Sequence, residues 1–251
     1  MISASSRLLS PKYGFHMAGV LIPWFSVCCL GLLVYGFIGG LFLAPSDAVQ
    51  GDAFRIIYVH VPAAFLSLSV YSIIFGCSLI FLIWRIKIFD MIAKCSASLG
   101  ATFTVIALVT GALWGKPMWG TWWIWDARLT SELILLFLYV GYLGLRSAIP
   151  DPKRAANAAA ILAIIGMVDI PIIHFSVEWW ATLHQGATLV KLARPSMAAE
   201  MLYPLLAMLG AFVSFYAALL CLRLRLEMMK QANEAKWVRS EFSEVKEEIG
   251  S

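Results

Sequence analysis

The sequence predicts an all-α integral membrane protein, with six transmembrane helices and a tryptophan-rich outer loop. Three observations carry this. Hydrophobic residues make up 61% of the 251 positions, charged residues only 14%, and the mean hydropathy is +0.82, a balance no ordinary soluble domain of this length shows. The apolar residues gather in six runs, most reaching the roughly 20 residues that cross a hydrocarbon core. The basic residues fall mainly in alternate gaps between those runs.

A Ser-rich, basic segment over 1–18 precedes the first run, Gly19 to Leu43. Without a convincing small-residue cleavage site, that run reads as a retained span. Ile56 to Trp84 and Ala93 to Leu113 are the second and third spans. Leu129 to Leu145 is the fourth, at the short end of the range. Ala155 to Phe175 and Met201 to Leu222 complete the set. Pro62, Pro171 and Pro204 are candidates for bends near the outer face, with local packing the simpler alternative. The membrane domain therefore covers 19–222 and includes the loop 114–128. The remainder, 223–251, mixes Lys, Arg and Glu and reads as a solvated helix or disordered end.

Short loops retained in the cytoplasm carry an excess of lysine and arginine. Fourteen basic residues lie on one side of the six runs, including Arg85, Lys87, Arg146 and the six after Leu222. The other side has five: Arg55, Lys116, Arg128, Lys191 and Arg194. Both termini are thus expected in the cytoplasm, as an even number of spans requires. The net charge of +4 is a topology signal and gives no indication of nucleic acid binding. None of the five cysteines lies in an outer loop, and no Cys-x-x-Cys or Cys-x-x-Cys-His occurs, so neither thiol redox chemistry nor covalent haem attachment to this chain is indicated. The chain has no phosphate-binding glycine loop, so any ATP would be bound by another subunit.

Parity puts loops one, three and five on one face, and these carry the unusual residues. The third loop reads Trp114-Gly-Lys-Pro-Met-Trp119-Gly-Thr-Trp122-Trp123-Ile-Trp125-Asp126. Glycine and proline interrupt helical periodicity there, predicting indoles displayed on an ordered loop or short interfacial helix rather than buried in a span. A tryptophan belt would populate both membrane interfaces. Seven of the ten tryptophans fall on the outer side, counting Trp179 and Trp180, and this asymmetry favours a platform for a flat apolar ligand.

His60, just inside the second span, and His184, in the last outer loop, share that face. A lone histidine near a membrane boundary is more often a packing residue. Two from different elements beside an aromatic platform can ligate iron, copper or zinc, or occupy both axial positions of a haem. His174 competes, but its expected depth favours a structural role; His16 is on the other side. Arg55, Lys116 and Arg128 are placed to meet carboxylates or lipid headgroups, and Asp126 to cap the fourth span. Glu132 and Asp169 are costly within apolar sequence and should face protein or water.

From Trp114 to Glu132, with His60 and His184 flanking, the sequence resembles the CcmC, or haem exporter protein C, family of cytochrome c maturation proteins, haem-handling proteins with a tryptophan-rich WWD domain. The likeness extends across nearly all six spans. It implies binding of haem b as cargo at the periplasmic face of the bacterial inner membrane and its presentation to the haem chaperone CcmE. It further implies His60 and His184 as axial ligands, with the loop tryptophans Trp114, Trp119, Trp122, Trp123 and Trp125 supporting the macrocycle. On the residues' own chemistry, Arg128 and Arg55 are then placed to pair with its propionates, and Asp126 to cap the fourth span or present a carboxylate to a partner. Assembly with the small membrane protein CcmD and with the ATP-driven transporter CcmA/CcmB is implied as well. Such a chain is a binding and delivery scaffold with no catalytic group of its own. The alternatives are an ABC-transporter permease subunit moving haem or another small molecule, and an electron-transfer cytochrome. The latter often needs four histidines for two stacked haems.

Overall fold

The computed structural model describes residues 11–184 and 197–231. Six helical spans emerge, each long and apolar enough to cross a membrane. Helix α1 (Pro11–Ile38) ends in a π turn (Gly39–Leu43). A 3-10 turn (Asp52–Ile56) then leads into α2 (Ile57–Trp84), which is followed by α3 (Lys87–Trp119) and α4 (Ala127–Ala148). The fifth span is two helices, α5 (Pro152–Gly166) and α6 (Asp169–Trp179), and α7 (Ala199–Gln231) is the sixth. The chain is thus a multi-pass, all-α membrane protein, since a helix alone satisfies its own backbone in lipid.

The second span begins within a residue of its expected position, while α3 and α7 run beyond theirs at both ends. The fifth differs in kind. Pro171 has no N–H, and its ring crowds the carbonyl four residues earlier, at Met167, which is where the helix breaks. The cap at Met167 tightens, with N–H bonds to the Ile164 and Ile165 carbonyls.

The core lies between α2, α3, α4 and α5. Tyr71, Tyr139 and Tyr142 are almost wholly buried in it, and Ala159 and Ala163 of α5 let the backbones approach. The Tyr139 hydroxyl donates to the Ser67 carbonyl (2.7 Å), and the Tyr71 and Tyr139 rings meet edge to face at 5.2 Å. Helix α1 packs chiefly along α7 and leaves Trp24, Val27 and Leu30 exposed, as suits a lipid-facing span.

Away from the tryptophan-rich face, Arg146 pairs with Asp90 at 2.9 Å and Lys94 with Glu227 at 2.6 Å. Arg225 lies 4.3 Å from the Phe15 ring. The first part of the basic tail is therefore helix held by specific contacts; the part after 231, with Lys191 and Arg194 of the last outer loop, lies outside the described residues. All five cysteines are free.

Candidate functional site

The tryptophan-rich segment only partly follows the expectation of a displayed loop. Helix α3 continues through Pro117 to Trp119, so Trp114 and Trp119 belong to a spanning helix. A proline in the last turn removes only one bond near an end already short of partners, which is why the helix tolerates it. The stop comes at Gly120, whose φ of 78° is left-handed. Its N–H returns to the Lys116 carbonyl (3.1 Å), and Lys116 Nζ donates to the Gly120 carbonyl (3.0 Å). Trp114 is buried, contrary to its expected display, because Gln50 of the first outer loop reaches its indole. Trp114 Nε1 donates to Gln50 Oε1 at 2.9 Å, and the ring packs with Phe54, Tyr58 and Leu205. Trp122, Trp123 and Trp125 do lie on irregular chain; Trp122 and Trp125 are exposed.

Behind this segment is a cavity of about 440 Å³, within the usual range for small-molecule sites. Its walls come from α2, α3, α4, α6 and α7, and from the chain at Leu183 and His184. Phe65 of α2 and Leu206 of α7 line it while exposed at 41% and 46%, giving it an apolar mouth between spans.

His60 and His184 both line the cavity, with ring centroids 6.4 Å apart and planes tilted by 38°. Trp114 meets the His60 ring nearly edge-on at 5.7 Å, and Trp119 lies 6.4 Å from His184. His60 Nδ1 is 3.0 Å from Thr110 Oγ1, whose own proton is directed to the Ile106 carbonyl (2.6 Å). The hydroxyl therefore accepts, Nδ1 carries the hydrogen, and Nε2 keeps its lone pair for a ligand bond. A side chain at Gly111 would come within 3.1 Å of the His60 ring, so α3 needs glycine there to lie this close.

Charged groups stand beside the histidines. Arg128 lines the cavity and donates through Nη1 to the Ile173 carbonyl of α6 (3.2 Å). Glu132, one turn further along α4, also lines it and accepts from Ser67 Oγ at 2.7 Å. Asp126 is the N-cap of α4, accepting from the Leu129 N–H at 2.8 Å. Trp123 is in the wall. Arg55 is not: it pairs with Asp52 at 3.1 Å and donates to the Gly40 carbonyl at 2.9 Å, tying the first outer loop to the π turn. Asp169 is buried in the first turn of α6 away from the wall, one carboxylate oxygen without a hydrogen-bond partner among the described residues.

Two contributors escaped the sequence reading. Gln50 and Thr110 carry no charge or motif, and only the packed structure shows them holding Trp114 and His60. His174, read from the sequence as a competing candidate with a structural role favoured, lines the cavity from α6.

Fold and site together define a polytopic membrane protein with an aromatic cavity lined by three histidines toward one end of its spans. The profile described as "CcmC: Heme exporter protein C" matches residues 4–239. Heme exporter protein C of Haemophilus influenzae is 48% identical over 230 residues, covering 92% of this chain and 94% of that one. Its Escherichia coli counterpart is 45% identical over 232 residues, with the same coverage. A ccmC-like mitochondrial protein of Marchantia polymorpha, named for cytochrome c biosynthesis, is 42% identical over 205 residues, covering 77% of this chain and 87% of its own. The chain belongs to the haem exporter protein C family.

Proposed function

We propose that the protein handles haem in c-type cytochrome biogenesis, binding haem b as cargo between His60 and His184 and presenting it to the chaperone CcmE. Family membership supports the haem-handling role. The observation that carries the site is the spacing of the two imidazoles. A metal–nitrogen bond of roughly 2 Å, with the ring centre about 1 Å beyond the nitrogen, puts trans axial rings about 6 Å apart. The 6.4 Å separation suits that arrangement. A lone pair at His60 Nε2 and flanking indoles suit the same ligand. Since no Cys-x-x-Cys-His is present, the cargo is held by coordination and packing.

In this reading the tryptophan-bearing face is periplasmic, both termini are cytoplasmic and the membrane is the bacterial inner membrane, as the bias of basic residues supports. The cavity and inward tryptophans hold the cargo; exposed Trp122 and Trp125 are left for the chaperone. CcmD and CcmA/CcmB are the expected assembly partners. Whether haem crosses the membrane through this chain separates a delivery scaffold from a permease. The cavity beside one face favours delivery.

Absorption and magnetic circular dichroism of the purified complex test the assignment, comparing the parent with His60→Ala and His184→Ala. A low-spin bis-histidine signature in the parent, lost in both variants, is expected. An unchanged signature in either variant sinks the ligand pair, and a parent without haem moves the permease reading ahead.

A further inference from the structure

His174 is the third imidazole of the cavity wall, and the two-ligand reading leaves it unused. Its ring is exposed and makes an edge contact with Phe175 at 4.7 Å. Among the described residues its nitrogens have no hydrogen-bond partner. It stands off the axial pair: His60 meets Trp114 and His184, His184 meets His60 and Trp119, and neither ring contacts His174.

Its chain neighbour supplies the second half of the argument. The Ile173 carbonyl accepts from Arg128 at 3.2 Å, drawing the guanidinium onto the turn of α6 that carries His174. One of the five guanidinium N–H groups is committed there, and Arg128 also lines the cavity. Glu132, the acid in the same wall, accepts from Ser67. With Asp126 it lies within electrostatic reach of Arg128, balancing part of the guanidinium charge and leaving the other N–H groups to an incoming carboxylate. Two nitrogen donors therefore border the cavity on one side of an otherwise mostly apolar space, near the membrane face. A carboxylate entering such a place needs donors.

We propose that His174 and Arg128 form a carboxylate subsite, receiving the acidic side chains of the tetrapyrrole whose metal lies between His60 and His184. The subsite rests on the haem reading and extends it: His174 selects for free carboxylates and leaves ligation to the other two histidines. A planar ring fixed at its centre can still rotate about the axial bonds, and a carboxylate clamp at one edge removes that freedom. The subsite therefore sets which edge of the ring faces the exposed tryptophans.

The test uses the intact complex in lipid nanodiscs, titrated with haem and with haem dimethyl ester while the Soret band is followed. The parent should bind the free acid more tightly than the ester. His174→Ala should weaken the acid about tenfold, as loss of a charge-assisted hydrogen bond predicts. It should leave ester affinity and the low-spin spectrum unchanged, and His174→Gln, which keeps an N–H donor, should recover part of the loss. Equal weakening of acid and ester would overturn the subsite in favour of packing or a lipid-headgroup contact. Loss of the low-spin band in His174→Ala would overturn it in favour of iron ligation. A parent that binds neither compound with a bis-histidine spectrum overturns the haem reading itself, a result distinct from both.

Discussion

His60 and His184 face each other across one cavity, but the elements that hold them differ. His60 is on α2, a 28-residue helix packed against α3, α5 and α7, and its ring is oriented by Thr110. His184 follows α6, an 11-residue half-span that ends in exposed Trp179 and Trp180. The chain there leaves the helix in an extended conformation at Trp180, with φ −132° and ψ 156°. One imidazole is thus fixed by the core, whereas the other is set by a short helix and a few residues of irregular chain. In the proposed delivery role that division is useful, because a cargo held equally firmly on both sides would be hard to give up. Regions with few buried contacts are where local opening costs least.

Stability should show the difference most strongly. Tyr139 is fully buried, bonded to the Ser67 carbonyl and paired with Tyr71. Tyr139→Ala should destabilise by about 3–5 kcal/mol, the range for losing a buried aromatic. Trp179 is 55% exposed and stacks on Phe175 at 5.3 Å. Trp179→Ala should cost about 1 kcal/mol or less. Thermal unfolding of the detergent-solubilised complex measures both, and comparable losses would break the distinction between a fixed wall and a lightly held arm.

A smaller effect should come from the support of His60. Thr110→Val keeps the shape of the side chain but removes the hydroxyl acceptor for His60 Nδ1, leaving the ring's hydrogen bond to the Ala107 backbone. Loss of such an orienting partner typically reduces metal affinity about 10–100-fold. The expected result is weaker haem retention in a titration, with an unfolding midpoint near that of the parent. Unchanged affinity would mean that packing by Trp114 and the Ala107 backbone, with no help from the Thr110 hydroxyl, orient the imidazole.

The part of this architecture legible in the sequence was the part the bilayer enforces. Each span must be long, apolar and helical, so hydropathy located all six, and α2 to within a residue. The break before Asp169 was less visible, since a proline inside a span can bend a helix or interrupt it, depending on whether neighbours satisfy the freed groups. The wall was harder still. Where every face of a helix is apolar, periodicity cannot separate residues that line a cavity from those that meet lipid, so Leu205 and Leu209 gave no sign. Histidine, arginine and tryptophan stood out because each is unusual at that depth. Gln50 and Thr110 did not, and they act only through residues far away in sequence. The density of tryptophans was legible, but the sorting of the individual rings depended on how far α3 continued.

That sorting gives the finest test. Trp123 lines the cavity, and its buried indole nitrogen has no hydrogen-bond partner among the described residues. Trp122, the next ring in the chain, is 52% exposed and has the Lys116 ammonium 5.9 Å from its centre. An inward aromatic contact is worth about 0.5–1.5 kcal/mol, or roughly 2–10-fold in affinity. Trp123→Ala should therefore weaken haem binding by about that factor, while Trp122→Ala should leave it within about twofold. Transfer of haem to the chaperone, followed separately, should respond in the opposite order if the outward ring belongs to the docking surface. Should Trp122→Ala weaken haem binding as much as Trp123→Ala, the tryptophans act as one platform irrespective of their direction. Adjacent positions on irregular chain would then no longer divide holding the cargo from presenting it.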